Sequence, residues 1–151
     1  MIQVNCDGGI RGGNPGGTPS WAWVRRQEGQ KLRFGSGLVP EGRPATSNVA
    51  EYYAVLYALH ALLDEGLVDE EVELRSDSQL IVNQILGNFA VSQPALQILH
   101  RAVKDMLQWF DRGIQFIWVP RTQNVEADSL AADAFYKSGK RRPAKERDIV
   151  K

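Results

Sequence analysis

Residues 72–87 read VELRSDSQLIVNQILG. Val72, Leu74 and Ser76 alternate with Glu73, Arg75 and Asp77, the period of a strand with two unlike faces. From Ser78 the pattern becomes that of a short helix reaching Leu86, and Gly87 stops it. A strand that hands over directly to a helix belongs to a sheet with parallel strands. Asp77 stands at the handover, beyond the strand's C-terminal end, where open α/β sheets place their sites.

Working outward, Ile2, Val4 and Cys6 alternate with Gln3, Asn5 and Asp7, so a first strand is expected to end at Asp7. Glycines follow it in DGGIRGGNPGG, residues 7–17. They allow a sharp turn and a close approach of the backbone to whatever lies against it. No lysine of a phosphate-cradling loop and no spaced dinucleotide fingerprint occurs among them. Strands around Trp21 and Trp23 and over residues 32–39 flank the turn signal Glu28-Gly29-Gln30. Residues 47–65 are helical, with Ser47 or Asn48 as cap, Tyr52, Leu56, Leu59 and Leu63 on one stripe, and Gly66 as stop. Pro94 opens a further helix to about residue 112, and Gly113 breaks it. Residues 114–119 form a fifth strand that Pro120 ends, and 124–137 a last helix. The order βββαβααβα implies an α/β fold: a five-stranded mixed sheet flanked by helices.

The chain has 151 residues, 43% of them apolar, enough for one core. With a single cysteine, Cys6, no internal disulfide can form, which suits a reducing compartment. No signal peptide and no membrane-spanning apolar run is visible, so a cytoplasmic protein without membrane association is expected, as a monomer. The net charge of zero conceals an asymmetry: residues 137–151 hold seven basic and two acidic side chains, leaving 11 basic and 16 acidic before them. A domain over 1–138 and a basic tail over 139–151 are therefore expected, the tail being either a solvated end or an arm for nucleic acid.

Four carboxylates carry the chemistry. Asp7 and Asp77 would emerge at one sheet edge if their strands are parallel neighbours. Glu51 lies near the start of a helix among Val55, Ala58 and Leu62, where a lone charge is costly. Asp128 falls at the start of the last helix, facing Ala131, Ala132 and Phe135. Each alone could be a turn or helix-end residue, but two helices packed over that edge would gather all four. Two charges about 5 Å apart repel by roughly 3 kcal/mol at an effective dielectric of 20, so such a cluster must bind cations or take up protons. An all-oxygen donor set suits Mg²⁺, with Mn²⁺ as substitute, and two such ions form the clamp used for displacement at phosphorus.

The segments DGG at Asp7, NPGG at Asn14, TSNVAEYYAVLYAL around Glu51, SDSQLIVNQI around Asp77 and NVEADSLAADA around Asp128 together resemble type 1 ribonuclease H. The resemblance covers the chain to about Tyr136. It implies an RNase H-like fold, with endonucleolytic hydrolysis of the RNA strand of RNA/DNA hybrids to 5′-phosphate and 3′-hydroxyl ends. It also implies two Mg²⁺ ions held by Asp7, Glu51, Asp77 and Asp128. Asn14, Asn48 and Gln79 align with polar positions near the substrate, where amides bond 2′-hydroxyls or base edges. Thr46 aligns with a position that contacts a DNA phosphate. Asn14-Pro15 is equally a turn signal, and Asn48 equally a cap.

The chain departs from the family pattern in two places. The loop before Asp128, VPRTQN, is short and has no histidine, as in the archaeal and some bacterial members. Arg121 is expected there as a phosphate contact, since arginine cannot shuttle protons. The basic handle that grips the DNA strand is absent: no lysine or arginine lies between Leu86 and Arg101. His60 and His100 are expected as surface or packing residues, and Trp21, Trp23, Trp109 and Trp118 as core. Three other readings remain beside the hybrid nuclease. They are cleavage of double-stranded RNA or a junction, a module that binds nucleic acid without cutting, and a domain of a polyprotein such as a reverse transcriptase.

Overall fold

The computed structural model of the protein describes residues 1–139. The element order is β1 (Ile2–Arg11), β2 (Thr18–Gln27), β3 (Arg33–Leu38), α1 (Ser47–Asp64), β4 (Val72–Ser76), α2 (Gln79–Leu86), α3 (Pro94–Leu107), β5 (Ile114–Trp118) and α4 (Val125–Lys137), with a 3₁₀ turn at Arg121–Gln123. This is the expected α/β order. The sheet runs β3-β2-β1-β4-β5. The β1–β2 and β2–β3 pairs are antiparallel, while β1–β4 and β4–β5 are parallel. Helix α1 packs on β1 and β2 with α3 against it, and α4 packs on β2, β1 and β3. The core between sheet and helices joins Ile2, Val4, Cys6, Leu74 and Phe116 to Tyr52, Leu59, Leu96 and Val103. Most of the expected tail, residues 140–151, lies outside the described residues.

Four local expectations are corrected. First, β1 does not end at Asp7. It continues to Arg11 because β2 keeps pairing with it to Arg11↔Thr18, while the parallel ladder to β4 stops at Cys6↔Ser76. Gly8 and Gly9 therefore lie in the strand and do not turn; the positive φ angles come later, at Gly12, Gly13 and Gly16. Gly8 is required by the crossing of α1: a Cβ there would stand 2.2 Å from the Ala50 carbonyl carbon and 2.3 Å from the Glu51 nitrogen. The close approach is to this chain's own helix.

Second, α1 is capped by Thr46, whose Oγ1 accepts from Val49 N at 3.2 Å, and not by Ser47 or Asn48. Third, α3 stops at Leu107, short of residue 112, because the chain then turns to bury Phe110 and to bond Asp111 N to the Val68 carbonyl. Fourth, only two of the tryptophans are packed. Trp23 is buried and Trp21 stacks on Tyr57 at 4.1 Å, but Trp109 and Trp118 are 69% and 42% exposed. The histidines are as expected: His60 pairs with Asp64 on the surface, and His100 Nε2 meets the Gln84 carbonyl at the end of α2.

Candidate active site

The end of the β1–β4 ladder assembles the site. One residue past the last pair, Asp7 is 5% exposed and still held in register by Ala22 of β2. Asp77 follows β4 directly. Its position is fixed by Ser78, which caps α2 through Oγ to Ile81 N, and by Trp118, whose Nε1 donates to the Asp77 carbonyl at 3.1 Å. Glu51 comes from α1 over the gap that Gly8 leaves, and Gly8 N–H donates to its Oε2 at 3.3 Å. Asp7, Glu51 and Asp77 each offer a carboxylate oxygen, all within 4.8 Å of one another. Asp128, in the first turn of α4, lies outside that triplet but close enough to Asp7 to push the Asp7 carboxyl up. The four sequence candidates thus form a triplet with a fourth acid attached at one corner.

The electrostatics follow from this crowding. Burial, then Asp77, then Asp128 push the Asp7 carboxyl from 3.8 up to about 8. Burial, then Asp7 and Asp77 hold Glu51 well above the usual carboxylate range, against the Gly8 N–H. Arg121, exposed in the 3₁₀ turn, pulls both down through its positive charge. Cys6, next to Asp7, is kept a neutral thiol by burial and by the charges of Glu51 and Asp7, and is no nucleophile. The surplus negative charge on oxygen donors fits divalent cations of the Mg²⁺ or Mn²⁺ kind.

The other candidates sit in the loop after β1 and at the N-terminal ends of α1 and α2. Asn14 is exposed and ties its loop to α1, donating from Nδ2 to Ser47 Oγ at 3.1 Å and accepting from Ser47 N. Asn48 is half-buried in the first turn of α1, and Gln79 is exposed at the first position of α2. Thr46 Oγ1 uses one lone pair for the α1 cap, keeping its own proton to donate. Two residues escaped the sequence reasoning. Asn124 stands at the cap position of α4, yet its side chain makes no cap bond and reaches the Cys6 carbonyl instead. Asn5 bonds to Asn124. Only their polarity beside an apolar strand and helix signalled them.

A family model described as "Reverse transcriptase-like" matches residues 5–134. Ribonuclease HI of Halobacterium salinarum is 37% identical over 135 residues, which is 89% of this chain and 64% of that protein. A bifunctional protein of Mycobacterium tuberculosis is 34% identical over 89% of this chain and 35% of that protein. The chain thus spans less than two thirds of the length of these curated relatives. Among solved structures, LC11-RNase H1 in complex with an RNA/DNA hybrid superposes with a TM-score of 0.83 at 34% identity, over 93% of this chain and all of that one. RNase H1 of Halobacterium salinarum gives 0.79 at 33%, over 90% and 98%. A mixed sheet with an acid cluster at the end of its parallel ladder defines an RNase H-like fold. This chain belongs to the type 1 ribonuclease H-like family. No helix among the described residues is long and apolar enough to cross a membrane.

Proposed function

We propose that the protein is a metal-dependent endoribonuclease that hydrolyses the RNA strand of RNA/DNA hybrids, leaving 5′-phosphate and 3′-hydroxyl ends. The observation that carries this reading is the triplet of carboxylate oxygens within 4.8 Å, on a fold whose 34%-identical neighbour holds such a hybrid. A negative cluster facing a polyanion has no use in mere binding, which argues against a module that does not cut. Asp7, Glu51, Asp77 and Asp128 would hold two Mg²⁺ ions, or Mn²⁺ in their place. When bound, the ions supply Lewis acidity, activating the attacking water and neutralising charge at the leaving 3′-oxygen.

The protein's own residues prepare this. Gly8 N–H holds Glu51 beside Asp7, and the Ser78 cap holds Asp77 at the start of α2. Arg121, permanently protonated, would contact a substrate phosphate, and the Thr46 hydroxyl a phosphate of the DNA strand. The amides of Asn14, Asn48 and Gln79 would bond base edges and 2′-hydroxyls, the latter being what separates RNA from DNA. Residues 1–138 would form the catalytic domain and 139–151 a basic tail, in a cytoplasmic monomer.

The deciding experiment is cleavage of a 5′-labelled RNA/DNA hybrid with Mg²⁺, with Mn²⁺ and with EDTA, beside Asp7→Asn protein. Metal-dependent cutting of the RNA strand, absent in the variant, is expected. No cutting with either metal at low salt and high enzyme would overturn the reading, and cutting of double-stranded RNA alone would replace the substrate.

A further inference from the structure

Asn124 is 1% exposed and immediately precedes α4. Its Nδ2 donates at 2.8 Å to the carbonyl of Cys6, the residue before Asp7. Its Oδ1 accepts from Asn5 Nδ2 at 3.1 Å, and the same Asn5 amide donates at 3.1 Å to the Gln123 carbonyl. The backbone carbonyl of Asn124 accepts from Asp128 N at 3.1 Å. One residue therefore joins the strand backbone adjoining Asp7 to the helical turn that carries Asp128. Two further polar links from α4, Ser20 Oγ to the Ala131 carbonyl and Arg26 to Glu126, reach β2 instead.

A clasp at this point has a physical task. Asp7 on β1 repels Asp128 on α4, and although α4 also packs on β1, the Arg11 guanidinium over the Tyr136 ring lies at the far end of the helix and does not restrain the turn that carries Asp128. An amide serves where a carboxylate would not. It donates to one backbone group and accepts from Asn5 without adding a fifth negative charge to the cluster.

We propose that Asn124, backed by Asn5, is a positioning residue that holds Asp128 against Asp7 so that the four carboxylates take up divalent cations as one site. The inference rests on the proposed nuclease reading for its kinetic consequences, but not for its binding consequences.

The test is a double-mutant cycle on wild type, Asn124→Ala, Asp128→Asn and the double variant. Binding of Mg²⁺ and Mn²⁺ is measured by calorimetry without nucleic acid, and kcat and KM on a labelled hybrid. Outer-shell partners of metal ligands are worth about 10–100-fold in affinity or activity. Asn124→Ala is therefore expected to weaken metal binding and lower kcat by about 10-fold or more, with KM within about twofold. In the Asp128→Asn background the same change should alter either quantity by less than about twofold, because its target is gone. Equal losses in both backgrounds, or metal binding unchanged by Asn124→Ala, would overturn the proposal. Should Asn124→Ala not fold, Asn5→Ala at its half-buried position enters the same cycle, with about 3–10-fold expected. A wild type that binds metal but cuts no hybrid would speak against the nuclease reading alone, since the calorimetric cycle needs no substrate.

Discussion

Replacing Asp7 by asparagine should abolish activity and stabilise the metal-free protein. The magnitude follows from the site. The Asp7 carboxyl is raised from 3.8 to about 8, chiefly by burial and then by Asp77 and Asp128. The native state therefore binds more protons than the unfolded chain between those values, and stability must fall as pH rises through that window. It is fully present below about 4 and lost by about 8. At ~1.4 kcal/mol per pH unit the ceiling is ~6 kcal/mol. An amide at position 7 also forgoes the attraction of Arg121, so about half of that, ~2–3 kcal/mol, is expected at pH 8. For a domain of this size that is a rise in Tm of about 5–10 °C. Urea and thermal unfolding in EDTA, at intervals from pH 4 to 8, would measure it. The wild type should lose stability steadily across the range and Asp7→Asn should lose much less. Adding Mg²⁺ should restore the wild type, most strongly at pH 8, and leave the variant nearly unchanged. A wild-type profile that is flat in EDTA, or a variant less stable than wild type at pH 8, would refute the crowded-carboxylate account.

Two further outcomes are expected. Gly8→Ala places a methyl 2.2 Å from the α1 backbone, which cannot yield as a side chain would. It should cost about 3 kcal/mol or more in denaturant unfolding and, by displacing Glu51, lower kcat more than it raises KM; a loss below 1 kcal/mol would show that α1 can move away freely. Removing residues 139–151 takes away basic charge from a chain whose remainder is acidic, so it should raise KM for the hybrid and reduce the salt dependence of binding while leaving kcat nearly intact. An unchanged KM would refute a binding role for the tail.

Much of this protein is legible from its sequence because the periods are clean. The alternation through Ser76, the cap at Ser78 and the stop at Gly87 are local signals, each set by the backbone geometry of a few neighbouring residues, and they yield the element order and the position of Asp77. Asp7, Glu51 and Asp128 are legible as acids at element ends or among apolar neighbours. What local patterns could not contain is set by contacts between distant segments. The continuation of β1 past Asp7 depends on ten residues of β2 lying alongside it. The meaning of Gly8 depends on α1 crossing above it. The exposure of Trp109 and Trp118 depends on α3 ending early and β5 forming the sheet edge. Asn124 has the same composition signature as an ordinary helix cap, yet it bonds a carbonyl 118 residues away. Sequence determined which groups could do chemistry, since that is a property of residue type and local period. Tertiary structure decided which of them share one charge environment, because repulsion, burial and hydrogen bonding act over ångströms in space and not over positions along the chain.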